Sequence, residues 1–203
     1  RAYSIVSASY DEHLEFFSIV VPDGEFTSRL DKLKVGDEML VEKMNYGSLI
    51  TTRFEQGKDL WMLSTGTGLA PFISILHELD TWETYENIIL VYSVREAKEF
   101  AYLDTIEGFK AHEYFSEFSE KFRFVPIVTR EKIPGTLSER IPTLLESGML
   151  EQEVGLGLDP ERSRIMICGN PEMCDDTRQW FTNHGYVVSR RSKPGHLALE
   201  NLW

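Results

Sequence analysis

The apolar positions divide the chain near residue 56. Before it, Ala2 to Ser7, Leu14 to Val21 and Glu38 to Met44 are β-branched or aromatic runs, punctuated by Pro22-Asp23-Gly24 and Val35-Gly36-Asp37. Such runs between turn signals predict strands. Thr27-Ser28-Arg29-Leu30 predicts a short capped helix between them. Three strands neither close a barrel nor bury two faces, so residues 1–56 are expected to belong to a larger antiparallel unit. After Gln56-Gly57-Lys58 the pattern changes. Apolar runs at Leu60 to Leu63, Ile88 to Tyr92, Phe122 to Val128, Arg164 to Cys168 and Tyr186 to Ser189 predict five strands. Phe72, Ile75, Leu76 and Leu79 fall at i, i+3, i+4 and i+7, and Ile141, Leu144 and Leu145 repeat the spacing, which predicts helices between strands. Alternation of this kind makes residues 57–203 a doubly wound, five-stranded parallel α/β sheet.

Ser64-Thr65-Gly66-Thr67-Gly68-Leu69-Ala70-Pro71 follows the first of these strands and opens the Phe72 helix. Its glycines let the backbone approach a ligand, Pro71 suits a first helical turn, and exposed amides favour phosphate. A pyrophosphate site is one reading and a tight turn the other. Pro71 stands where the dinucleotide fingerprint has its third small residue. At the end of the second strand, where such folds meet the adenosine ribose, stands Ser93-Val94-Arg95 in place of the acidic residue typical of NAD sites. A guanidinium there favours a 2′-phosphate, hence NADP, although Glu96 follows it.

Charge and cysteine usage narrow the functions. A net charge of −12 speaks against nucleic acid, which needs a basic surface. Cys168 and Cys174 are too few for a disulfide framework or an iron–sulfur cluster, and the five histidines lack zinc-site spacing. Nothing approaches the roughly 18 consecutive apolar residues of a membrane span, and no signal segment is visible, so a soluble, cytoplasmic protein is expected. The sequence opens at Arg1 inside an expected strand.

Four motifs, Arg1-Ala2-Tyr3-Ser4, Thr65 to Pro71, Val128-Thr129-Arg130-Glu131 and Cys168-Gly169-Asn170-Pro171, occur in the order and spacing of another group. The chain resembles the ferredoxin–NADP⁺ reductases, and most the bacterial branch that also uses flavodoxin. The resemblance implies an antiparallel FAD-binding β-barrel ahead of an NADP-binding domain. That family's barrel has about twice the strands visible here, so further strands are expected before Arg1.

The resemblance also implies roles. Arg1 would neutralise the FAD pyrophosphate, Tyr3 would lie on the isoalloxazine, and Ser4 would hydrogen-bond near flavin N5. Ala2, Phe17, Ser18, Ile19, Val20, Glu25, Phe26, Thr27 and Thr67 would make further FAD contacts, with Leu202 and Trp203 returning to the flavin from the C-terminus. Arg95, Arg130 and Arg140 would surround the 2′-phosphate, with Val94 and Thr129 beside them. Gly66, Gly68, Gly169, Asn170 and Pro171 would hold the rest of NADP(H), and Cys168 would face the nicotinamide. Tyr3, Ser4 and Cys168 are thus the catalytic candidates; read without the resemblance, Tyr3 is a half-buried strand aromatic and Cys168 a small buried hydrophobe. The implied reaction passes a hydride between NADP(H) and the flavin and single electrons to or from ferredoxin or flavodoxin. Docking is expected to be transient and electrostatic, with a monomeric reductase. The rival readings are a related flavin, cytochrome or oxygenase reductase, and a nucleotide-binding module without turnover.

Overall fold

The computed structural model describes residues 1–201; Leu202 and Trp203, expected at the flavin, lie outside the described residues. Five strands, β1 (Asp59–Thr65), β2 (Asn87–Val94), β3 (Phe122–Val128), β4 (Ser163–Cys168) and β5 (Leu197–Glu200), form one parallel sheet in the order β3-β2-β1-β4-β5. Leu63 is in register with Val91 on one side and Ile167 on the other.

Both faces are covered, which is why the strand sequences read as continuous apolar runs. On one face Leu60, Met62, Leu90, Tyr92 and Met166 pack against α2 (Ala70–Leu76), α3 (Leu79–Thr84) and α4 (Leu103–Gly108), through Phe72, Ile73, Trp82 and Ile106. On the other, Trp61, Leu63, Ile89, Val91, Ile165 and Ile167 meet α5 (Ile141–Glu146), α6 (Met149–Val154) and α7 (Pro171–Asn183), through Leu144, Leu150, Cys174 and Phe181. Each fully buried large side chain contributes about 1.5–3 kcal/mol.

Three expectations need correction. The edge strand is Leu197–Glu200, whereas Tyr186 to Ser189 contributes a single bridge, Val188 to Leu197. Leu197 and Ala198 are buried while Val187 is 45% exposed, so the later run better meets the need to face two layers. The helix expected across Phe72 to Leu79 breaks at His77-Glu78. The Thr81 hydroxyl and the Trp82 indole N–H donate to the carbonyls of Ile75 and Leu76, at 3.0 and 2.8 Å, taking acceptors that a continuing helix would use. The first three expected strands are reduced to one antiparallel bridge, Ile5 to Phe16, because a ladder needs partners. No described strand lies beside Ile19, Val20, Met39, Leu40 and Val41, which are exposed.

The helix α1 (Thr27–Leu30) forms, yet Phe26 occupies its N-cap without a side-chain cap. The Thr27 hydroxyl instead accepts from the Val21 N–H at 3.0 Å, closing the intervening turn. Residues 1–17 are seated on the sheet domain by contacts distant in sequence. The Ser74 hydroxyl donates to Ser7 O at 2.9 Å, Tyr10 donates to His77 O at 3.1 Å, and Tyr102 donates to Glu15 at 2.6 Å.

Candidate active site

The strand order reverses between β1 and β4, so the chain leaves their C-terminal ends in opposite directions. A crevice opens at such a switch point, and ligands of parallel sheets bind there. The two motif turns meet in it. Gly66–Leu69 forms a tight 3₁₀ turn running into α2, with Gly66 at φ +54°. Gly169 follows β4 at φ +140°. The Asn170 N–H donates to the Thr65 hydroxyl at 2.8 Å, and the Asn170 side chain caps α7 through the Met173 N–H at 3.2 Å. Gly68 lies so close to the Cys168-Gly169 peptide that a Cβ would strike its backbone.

Beside these turns lies a cavity of about 280 Å³. Arg1, Ala2, Tyr3, Ser4, Phe17, Ser18, Ile19, Glu25, Phe26, Thr27, Thr67, Gly68, Cys168 and Gly169 all line it. One enclosure therefore gathers candidates from both ends of the chain. Tyr3 and Phe26 face each other with ring centroids 5.6 Å apart, tilted by 33°. Val20 does not line the cavity and is 55% exposed. Sequence reasoning missed Val21, Gly24 and Ala70, which do line it. For Gly24 the signal is the Pro22-Asp23-Gly24 turn, and a Cβ there would sit 2.7 Å from the Thr27 hydroxyl.

Glu200 was given no role, although the tail that carries it was expected to return to the flavin. It stands in register with Cys168, and its carboxylate accepts from the Ser48 and Leu49 N–H groups, the latter at 3.2 Å. Residues 47–49 are thereby tied to the sheet end beside the cavity.

Burial pushes the thiols of Cys168 and Cys174 up to about 12. Both stay protonated at neutral pH, so Cys168 offers the cavity a compact neutral group and no nucleophile. Iodoacetamide at pH 8 should therefore alkylate neither cysteine of the folded protein within an hour and both in urea, as read by intact mass; rapid native alkylation would contradict this placement.

The basic candidates divide. Thr129 and Arg130 donate their backbone N–H groups to Val94 and Arg95 O at 3.0 and 2.9 Å, so the loops after β2 and β3 run side by side. Arg95 and Arg130 are exposed there, Arg95 paired with Glu99 at 3.1 Å. Arg140, just before α5, pairs at 3.4 Å with Glu172 in the first turn of α7, which links it to the Gly169-Asn170 turn. No described helix is long and apolar enough to cross a membrane, and no described cluster of acidic, His or Cys residues could hold a metal.

A second depression lies between Leu145, Glu151, Trp180 and Tyr186. It lies by the last turns of α5 and α7, at the end of the sheet where parallel strands begin, and ligands bind the other end.

Several known proteins are similar to the chain along its whole length. A family described as the oxidoreductase NAD-binding domain matches residues 62–179. The ferredoxin–NADP reductase of Pseudomonas aeruginosa is 45% identical, and the flavodoxin/ferredoxin–NADP reductase of Escherichia coli 37%, each over all of this chain and 80% of the relative. A crystal structure of a ferredoxin NADP⁺ reductase from Neisseria gonorrhoeae with bound FAD and NADP superposes with a TM-score of 0.91, at 40% identity, over all of this chain and 80% of that one. Identity at this level along the whole chain, together with the paired glycine turns, means that it belongs to the ferredoxin–NADP reductase family.

Proposed function

We propose that this chain, an oxidoreductase of that family, exchanges electrons between NADP(H) and a small carrier, ferredoxin or flavodoxin, through FAD held in the cavity beside Gly68 and Gly169. The observation that carries this reading is the convergence of Arg1, Tyr3 and Ser4 with both glycine turns on one enclosure. The residues fit the group. A guanidinium suits a diphosphate, an aromatic face suits a flat ring, a hydroxyl suits a ring nitrogen, and glycine turns admit a planar ligand against backbone.

FAD bound there would supply the chemistry, accepting electrons in pairs from NADPH and releasing them singly. The protein's part is binding, orientation and exclusion of water. Arg1 offers charge to the diphosphate. Tyr3, held against Phe26, gives one wall. Ser4, next to Tyr3 in the chain, offers a hydrogen bond. Arg95 and Arg130, side by side after β2 and β3, present two guanidiniums to a 2′-phosphate, which favours NADP(H) over NAD(H). Arg140, paired with Glu172 of α7, is the third guanidinium proposed for that phosphate.

The chain is strongly acidic overall, so an acidic carrier needs a local basic surface. The bridge between Arg190 and Lys193 closes a tight turn that exposes Arg190, Arg191 and Lys193 together. With Lys32, Lys34 and Lys43, also exposed, it forms the proposed docking surface.

The deciding experiment is the visible spectrum of the full-length protein before and after anaerobic NADPH, with NADH for comparison. Flavin bands bleached preferentially by NADPH are expected. A colourless protein that stays so with added FAD would overturn the reading and leave a nucleotide-binding module. On the same preparation, ferredoxin reduction should slow as ionic strength rises; a rate indifferent to salt would sink the docking surface.

A further inference from the structure

Tyr102 is one of two described non-glycine residues at positive φ, at φ 59° and ψ 19°; the other is Asp23. Aspartate tolerates the left-handed region through local hydrogen bonds, but a tyrosine there persists only where its surroundings hold it. Its backbone begins α4, with Tyr102 O accepting from the Ile106 N–H at 2.9 Å. The side chain crosses to the N-terminal segment. Its hydroxyl donates to Glu15 Oε1 at 2.6 Å, across 87 positions in sequence, and its ring meets Phe17 edge to face, centroids 5.4 Å apart at 76°. Phe17 lines the cavity with Tyr3 and Ser4.

Tyr102 also ends the loop that leaves β2. That loop carries Arg95 and is pinned by the Arg95–Glu99 pair and by the Ala97 N–H donating to Glu131 at 2.8 Å. One strained residue therefore joins the loop of the 2′-phosphate candidates to the wall of the flavin cavity. Burial, then the Glu15 carboxylate, raise the phenol above its ordinary range, so the donor persists through the physiological range of pH.

We propose that Tyr102 is a positioning residue for electron transfer: through Glu15 and Phe17 it fixes the flavin-side segment against the nucleotide-binding domain, setting how NADPH meets the flavin. The proposal rests on the flavin reading above. It acts on orientation and not on affinity, because neither Tyr102 nor Glu15 lines the cavity. A hydrogen bond to a carboxylate is worth about 1.5–3 kcal/mol, and reacting groups are sensitive to displacements of an ångström.

The test is stopped-flow reduction of the FAD-loaded full-length protein by NADPH, for wild type, Tyr102→Phe, Glu15→Ala and the double variant, with visible circular dichroism of the flavin. Tyr102→Phe and Glu15→Ala should each lower the limiting rate roughly ten-fold. The NADPH concentration for half-maximal rate should change less than two-fold, and the flavin dichroism should shift. The double variant should be no slower than either single one, since one removes the donor and the other the acceptor of the same bond. A limiting rate at the wild-type value in Glu15→Ala, with or without loss of FAD from Tyr102→Phe, would overturn the proposal. So would multiplicative losses in the double variant, or a lowered melting temperature with rate and dichroism unchanged. Failure of the flavin reading itself would show differently, as wild-type protein that NADPH does not bleach.

Discussion

Gly68→Ala is expected to lower the rate of flavin reduction by NADPH by roughly a hundred-fold or more and to cost about 1–3 kcal/mol of stability. The constraint at Gly68 is proximity. A Cβ would collide with the carbonyl of Cys168 and stand 2.6 Å from the Gly169 nitrogen, and these are backbone atoms that cannot rotate away. The methyl group is accommodated only if the turn after β1 and the turn after β4 separate, and that separation opens the crevice on which the cavity rests. Gly66 and Gly108 make the controls. Gly66 is constrained by its φ of +54°, while the place a methyl group would take has no atom within 4 Å, so Gly66→Ala should cost only about 1–2 kcal/mol of backbone strain. Gly108, in α4 with open space around it, should accept alanine at no cost. Urea unfolding and stopped-flow reduction of the three variants check the order. Gly68→Ala with wild-type rate and stability would mean that the turns do not need to touch.

The same contact shows where sequence reading reaches and where it stops. Both glycine turns are legible, because a glycine-rich stretch following an apolar run and leading into Pro71 or Pro171 marks a strand-to-helix turn on local grounds. That Gly68 leans on Gly169, a hundred positions away, follows only from β1 and β4 being neighbours, and strand order is not written in periodicity. β1 to β4 are legible for a related reason: burial on both faces demands unbroken apolar runs, and four such runs were present. The edge strand is harder, since Tyr186 to Ser189 and Leu197 to Glu200 are similar runs competing for one place beside β4. The break after Leu76 was invisible because Thr81 and Trp82 compete for helix carbonyls from outside the helical repeat.

At the site, the aromatic and basic residues of the opening motif were found through a resemblance and not through the residues' own pattern, in which Tyr3 reads as an ordinary strand aromatic. Tyr102 escaped both routes, and Glu200 received no role although its tail was expected at the flavin. A glutamate ending a strand and a tyrosine before a helix look unexceptional until register sets one opposite Cys168 and a left-handed backbone turns the other toward Glu15. Local rules detect what a residue requires of its neighbours in sequence, whereas these two meet requirements set by distant segments.

Arg164→Met is expected to be the most destabilising single change away from the site, by about 3–5 kcal/mol in urea unfolding. Arg164 is only 2% exposed, and its guanidinium donates to backbone carbonyls and not to a carboxylate. Its Nε bonds Glu55 O at 2.9 Å, Nη1 bonds Pro160 O at 2.9 Å and Ser163 O at 2.8 Å, and Nη2 bonds Gln56 O and, at 3.5 Å, Glu161 O. Burial lowers the guanidinium pKa, the largest influence on it, yet a ring of carbonyl dipoles keeps the group fully hydrogen-bonded. Methionine would fill much of the space and leave those acceptors without donors, at about 1–3 kcal/mol for each that water cannot reach. Lysine should rescue little, because one ammonium cannot reproduce a planar fork aimed at both Glu55–Gln56 and Pro160–Ser163. Residues 55–57 are also where the chain passes from the flavin-side segment into β1, and Gly57 lets that passage lie flat on the Arg164 side chain. The variant should therefore become cleavable by protease near residue 56 before it unfolds globally. Cleavage elsewhere, with stability unchanged, would show that the passage is held by other contacts, such as the Glu55 N–H donating to Gly195 O at 3.1 Å.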